Sequence, residues 1–467
     1  MTDIIAEIDR IFALQRDHQH IVKKTTAAER IAKLERLKAA LEASVPEMMA
    51  TLAEDTGKPP MEAFIELGGP MTELADMMVN LSDWMEADDV ALSGHALEGA
   101  RGQIVYEPKG QVLIFGPWNF PAGLLFQPLV GAIGAGNVCM LKPSELTPKT
   151  SALCARIVRE VFDEAEVAVF EGGPEVAEAL LDRPFDHIFF TGSTKVGKLV
   201  MAAAAKHLSS VTLELGGKSP AIVGEDVDVT TVAGRISWGK FANAGQICIS
   251  PDHVYLPRSK RDAFVNEVTA YIDQAYRGTG SFNNDDFAQI VDTRNLQRLT
   301  RLIEDATDRG ATLVTGGEVV GDRRLAPTVL VDVPEDCAIM QEEIFGPILP
   351  ILTYDAIDEV IAKVRSRHKP LALYVFSENA GFVDDVIART SSGGVTVNDV
   401  IRHVAEPNLP FGGAGPSGHG NYHGKFSFLT FSHTRSVYYQ SPREDPAAAM
   451  TRPPFAGKLE AILGNAS

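Results

Sequence analysis

From Gln111 to Leu215, five short and continuously apolar runs alternate with stretches of helical periodicity. The runs are Val112–Phe115, Val138–Leu141, Val167–Phe170, His187–Phe190 and Val211–Leu215. Strands that are apolar on both faces, each followed by a helix, predict a parallel sheet covered on both sides. This is a Rossmann-like, doubly wound nucleotide-binding architecture, with ligands expected beyond the carboxyl ends of the strands. After Gly216–Gly217 the alternation resumes through Ala221–Val223, Val254–Leu256, Thr312–Val314, Leu371–Phe376 and Gly394–Val397. A second α/β domain is therefore predicted, with the boundary near Leu215–Ser219. Two weaker alternating stretches, Arg101–Pro108 and Thr434–Tyr439, lie outside this pattern and are expected to pair with each other. Projecting strands suit an oligomer contact, because bare edges otherwise invite aggregation.

The first hundred residues read as helices. Thr26 and Glu29 form a capping box ahead of Ile31, Leu34, Leu37 and Leu41. Ser44–Val45–Pro46–Glu47 repeats a helix-start signal, Gly57 reads as a stop, and a third helical run covers Met71 to Met85. The net charge of −19 leaves no basic excess for a phosphate backbone, so no nucleic acid partner is expected. No secretory leader and no apolar run of about 18–20 residues is present, which predicts a cytoplasmic protein with no membrane partner. Four cysteines in 467 residues do not make a disulfide framework. None has metal-ligand spacing with another, so no metal site is expected.

Cys248 falls in Gly245–Gln246–Ile247–Cys248, between a helical pattern expected to stop at Gly245 and the apolar run His253–Leu256. Such a loop presents a thiol from rigid supports, although a lone cysteine is more often a small buried hydrophobe. Glu214 stands in an otherwise apolar strand; burial would raise its pKa and suit a general base, unless Lys218 pairs with it. Two prolines and a glycine in Gly116–Pro121 fix the backbone around Trp118 and Asn119, whose amide can donate to an oxyanion. The alternative there is a rigid turn with a buried Trp118.

Phe190–Lys198 follows a strand and opens a helix, so its amides can face a phosphate. Gly192, Gly197 and Lys198 match most of a P-loop, but Leu199 stands where Ser or Thr is needed, which leaves the nucleotide open. Lys142 and Glu145 leave another strand and could grip ribose hydroxyls; Glu145 would repel a 2′-phosphate and favour NAD over NADP. Glu343 and Phe345 combine a carboxylate with an aromatic ring before a strand, and Pro410–Gly418 is a glycine-rich loop.

Together these residues resemble the NAD(P)-dependent aldehyde dehydrogenase superfamily, from about Gly110 to about Tyr439. Pro410–Gly413 and Tyr422–His433 are most similar to the class 3, fatty-aldehyde and coniferyl-aldehyde branch. The resemblance implies Cys248 as nucleophile, Glu214 as base and Asn119 as oxyanion donor. It implies a cofactor, NAD or NADP, held by Trp118, Lys142, Glu145, Gly192, Ser193, Gly197, Glu343 and Phe345. It implies an aldehyde substrate, medium-chain aliphatic or aromatic, and a homodimer. The domain division expected is 1–100 with 111–215 for the cofactor, 216–415 for catalysis, 101–110 with 431–441 as an oligomerisation arm, and 442–467 as a tail. Three rivals remain at this level: a CoA-acylating enzyme of the same fold, a cysteine hydrolase using His403 or His423, and a silent binding protein.

Overall fold

The computed structural model describes residues 2–93, 99–277, 282, 285–440, 442 and 446–464; the others, including parts of the segments 1–100 and 442–467, lie outside it. The first sheet runs in the order Gly418–His419, Ser210–Glu214, His187–Thr191, Gln111–Phe115, Val138–Lys142, Val167–Val169. All its pairings are parallel except that of Gly418–His419, which sets Gly418 opposite Glu214. Side-chain alternation serves two cores at once. Val112, Ile114, Cys139 and Leu141 face the helices Ala27–Thr56, Pro60–Trp84, Gly123–Ala135 and Pro148–Val161. Leu113, Phe115, Met140 and Ile188 face Ile8, Phe12, Leu180 and Val200 on the opposite side. The five apolar runs therefore form the predicted doubly wound parallel sheet.

The second sheet has seven strands, in the order Thr312–Thr315, Thr328–Val331, Ile348–Tyr354, His253–Pro257, Pro220–Val223, Ala372–Phe376, Gly394–Val397. Only Thr312–Thr315 is antiparallel. Arg101–Pro108 and Ser432–Tyr439 pair along their whole length, and Asp88–Val90 adds a third, fully exposed strand.

In the N-terminal helices, two boundaries differ from the sequence reading. The capping box at Thr26 and the left-handed stop at Gly57 are both present, but Ser44–Glu47 starts nothing. The helix runs from Ala27 to Thr56 through Pro46, and Ser44 bonds back to the Ala40 carbonyl at 2.8 Å instead of capping. One buried stripe, Leu34, Leu37, Leu41, Met48 and Leu52, crosses the proline unbroken, and its packing outweighs the lost hydrogen bond. The next helix begins at Pro60, the first-turn position that proline favours, eleven residues before the predicted start at Met71.

Candidate active site

The helix Val229–Phe241 ends at Phe241 rather than at Gly245. Asn243 (φ 49°), Ala244 (φ 52°) and Gly245 (φ 73°) then take three consecutive left-handed conformations. The Asn243 donors help hold this shape, while its buried side-chain oxygen has no partner among the described residues. The Asn243 N–H donates to both carboxylate oxygens of Glu62 at 3.1 and 3.0 Å. Its side-chain amide donates to the carbonyls of Asn119 and Gln246, each at 3.1 Å. Gln246 donates to the Asn243 and Gln289 carbonyls and accepts from the Val291 N–H. Gly245 also lies against the next loop: a Cβ there would sit 2.3 Å from the Gly346 carbonyl oxygen.

This loop presents Cys248 to a cavity of about 990 Å³ between the two sheets. Trp118, Asn119, Glu145, Gly192, Ser193, Glu214, Glu343 and Phe345 line the same cavity. Lys142 and Gly197 do not. The Lys142 ammonium is buried and reaches Glu145 at 2.6 Å. Gly197 lies inside the helix Thr194–Ala205, where a Cβ would press on Leu215 at 2.7 Å, so its role is close helix–strand packing. Leu199, the residue that broke the P-loop pattern, is 63% exposed.

Glu214 ends its strand at 2% exposure, and neither carboxylate oxygen has a hydrogen-bond partner. Burial pushes its pKa well above the usual carboxylate range. The pairing with Lys218 entertained from sequence does not occur, because Lys218 bonds Asp252 at 2.5 Å. Burial, then Glu343 and Glu214 in turn, push the Cys248 thiol up to about 12. Burial likewise raises Glu343 to about 7, although the Gly217 N–H donates to it. The Glu343 carboxylate lies against Gly216, where a Cβ would meet it at 2.2 Å. Phe345 stands edge-on to Trp118, ring centroids 5.2 Å apart.

Asn119 is held from both ends. Its amide donates to the Gln246 carbonyl at 3.0 Å, and its own carbonyl accepts from Lys58 at 2.7 Å. Lys58 forms a fully buried ion pair with Glu66, which accepts from the Ala122 and Gly123 amides at 2.9 and 3.2 Å. Sequence reasoning missed Lys58, Glu62, Glu66, Asn243 and Gln246. The available signal was Gly57–Lys58–Pro59–Pro60, a helix stop and a helix start enclosing a single lysine.

A thiol, a partnerless buried carboxyl and a carboxamide thus converge on one cleft at the carboxyl end of a doubly wound sheet. The aldehyde dehydrogenase family model matches residues 5–437. The chain belongs to the aldehyde dehydrogenase family. It is 43% identical to a coniferyl aldehyde dehydrogenase of a Pseudomonas species, over 85% of this chain and 83% of that protein. It is 42% identical to a dimeric, NADP-preferring aldehyde dehydrogenase of Rattus norvegicus, over 92% and 94%. A substrate-bound structure of Staphylococcus aureus AldH superposes with a TM-score of 0.92 at 38% identity, covering 98% of this chain and 99% of that one. The protein is accordingly an oxidoreductase that acts on aldehydes with NAD(P) as oxidant. Among the described residues, no helix is long and apolar enough to cross a membrane.

Proposed function

We propose that this aldehyde dehydrogenase converts medium-chain aliphatic or aromatic aldehydes to carboxylic acids through a covalent intermediate on Cys248. The observation that carries the reading is the presence of Cys248, Asn119 and the unpartnered carboxyl of Glu214 on the wall of one cavity. That cavity suits a dinucleotide. At one side the helix Thr194–Ala205 opens from Ser193, whose first-turn amides favour a pyrophosphate, while the Gly192 N–H donates to the Glu214 carbonyl at 3.0 Å and fixes the approach to that turn. Glu343 and Phe345 suit the nicotinamide ribose, Trp118 packs beside them, and Glu145 suits the adenosine ribose, held from behind by the buried Lys142 at 2.6 Å. A bound nicotinamide supplies the hydride acceptor.

The chain's own groups do the rest. The Cys248 thiol gives up its proton to solvent, and the thiolate adds to the aldehyde carbonyl. The Asn119 amide has two donors and spends one on Gln246, which leaves the second for the developing oxyanion beside the Cys248 N–H. After oxidation the acyl group rests on Cys248 as a thioester. Glu214 takes a proton from water, the hydroxide attacks, and Cys248 leaves as thiolate. Domain roles follow the expected division: 1–100 with 111–215 for the cofactor and 216–415 for catalysis. The free edge of Ser432–Tyr439 supports a homodimer built on the arm 101–110 with 431–441. Four unpaired cysteines suit a cytoplasmic compartment.

The hydrolase rival loses its base. His403 bonds Thr396 at 2.7 Å and stacks on Phe411, and His423 stacks on the same ring; the charges that bear on Cys248 are Glu343 and Glu214. The test is a panel of aliphatic and aromatic aldehydes with each nicotinamide cofactor, followed by NAD(P)H absorbance. Cys248→Ala should abolish turnover and keep nucleotide binding; near-normal turnover in that variant rejects the assignment.

A further inference from the structure

Lys218 lies four residues after Glu214, and Asp252 four residues after Cys248. The two side chains meet at 2.5 Å, with side-chain exposures of only 11% and 3%. All three protons of the Lys218 ammonium are engaged: one on Asp252, one on the Ile339 carbonyl at 2.7 Å and one on the Glu342 carbonyl at 2.9 Å. The other Asp252 oxygen accepts from the Ile344 N–H at 3.0 Å, and the Asp252 N–H donates to the Ser219 carbonyl at 2.8 Å. Glu343 is the residue enclosed between these anchors at 342 and 344. On the outer side Arg298 donates to the Glu343 and Ile344 carbonyls at 3.3 and 2.6 Å.

A buried ion pair is a poor source of net stability, because desolvation offsets the attraction. Its distinctive property here is connectivity. Lys218 extends the strand segment that carries Glu214, Asp252 extends the loop that carries Cys248, and both grip the backbone of the loop that carries Glu343. No donor is left on Lys218 to bind a ligand, although the residue lines the cavity.

We propose that Lys218 and Asp252 are positioning residues, a shared anchor that fixes Glu214, Cys248 and the Glu343 loop relative to one another and so sets that loop's grip on the nicotinamide ribose. The inference rests on the function proposed above for Glu343. It predicts a defect localised to the loop rather than a general loss of fold.

Lys218→Met and Asp252→Asn are compared with the unaltered protein in three measurements. Hydrogen–deuterium exchange should accelerate across residues 339–345 and stay unchanged in the first sheet. NAD⁺ affinity, measured by calorimetry without aldehyde, should weaken roughly tenfold, as for the loss of one well-placed hydrogen bond. Turnover per titrated Cys248 should fall on the order of a hundredfold, with a larger isotope effect from aldehyde deuterated at the formyl carbon. A folded Lys218→Met with unaltered loop exchange and NAD⁺ affinity overturns the proposal. If Lys218→Met does not fold, the isosteric Asp252→Asn decides on the same readouts; failure of both to fold overturns the proposal in favour of a purely structural pair. Should the unaltered protein neither bind NAD⁺ nor oxidise aldehydes, the proposed function fails; should it do both while the variants match it, only this inference fails.

Discussion

Gly245→Ala tests how tightly the thiol loop is held. The alanine has to keep a φ of 73°, which costs about 1–2 kcal/mol for a residue with a Cβ. Its methyl would stand 2.3 Å from the Gly346 oxygen, where ordinary contact begins at 3.4 Å. One of the two loops therefore has to move by about 1 Å, and overpacking of this kind costs about 1–3 kcal/mol. The combined loss is about 2–5 kcal/mol. Both loops bear site residues, Cys248 on one side and Glu343 and Phe345 on the other, so the shift reaches the chemistry. Displacement by about 1 Å lowers kcat on the order of a hundredfold. The matched control is Gly234→Ala, on the same helix that leads into the loop, where a Cβ meets nothing within 4 Å. That change should stabilise by about 0.5–1 kcal/mol, through helix propensity alone. Thermal midpoints and aldehyde turnover are measured on both variants. Wild-type turnover in Gly245→Ala, or an equal loss in Gly234→Ala, refutes the reasoning.

Alkylation of Cys248 by iodoacetamide in the cofactor-free protein should rise about tenfold per pH unit and show no plateau near 9, because a thiol held up to about 12 supplies thiolate only as pH climbs; a plateau at or below 9 contradicts that. Glu214→Gln should slow deacylation, so that an acyl-enzyme accumulates and is seen by intact mass in rapid-quench samples; unchanged steady-state turnover across neutral pH counts against the base role. Lys58→Met leaves Glu66 buried without its cation and should cost about 3–5 kcal/mol in a denaturant titration, whereas Lys58→Met with Glu66→Gln, which removes the charge and keeps an acceptor for the Ala122 and Gly123 amides, should recover most of it; equal losses in the single and double variants would show that the pair is not the cause.

The sheet was legible because strands buried on both faces cannot hide their apolar runs. Strands beside proline could hide: Thr328–Val331 follows Pro327 and did not stand among the strands read for the second domain, and Ile348–Tyr354, which contains Pro350, was read only as a strand following Phe345. Gly418–His419 is too short for any periodicity and exists only as an edge against Glu214. Pro46 misled in the opposite sense, since tertiary burial carried the helix across it. Residues that face the cavity carried chemical signals of their own, such as a carboxylate in an apolar strand. The residues that hold them did not. Lys58 reaches across 61 positions to Asn119, and Glu62 across 181 to Asn243. Their meaning lies in partners that only the fold brings near.

Three acidic groups face one another across the cleft, and each is pushed toward its protonated form: Glu214, Glu343 and Cys248. Burial is the leading cause for every one, and the two carboxyls add like-charge repulsion at the thiol. A cleft of this kind resists acquiring negative charge while it stands alone. It is correspondingly receptive to a positive charge, since a cation near any of the three stabilises its ionised form. Oxidised nicotinamide is a cationic ring, and the residues proposed to hold its ribose, Glu343 and Phe345, share the wall with Cys248. The same electrostatics that suppresses the thiolate would therefore release it beside a bound oxidised nicotinamide. For the function proposed above, in which Cys248 is the nucleophile, the order of events then follows from charge, with thiolate formation coupled to the arrival of the group that accepts the electrons.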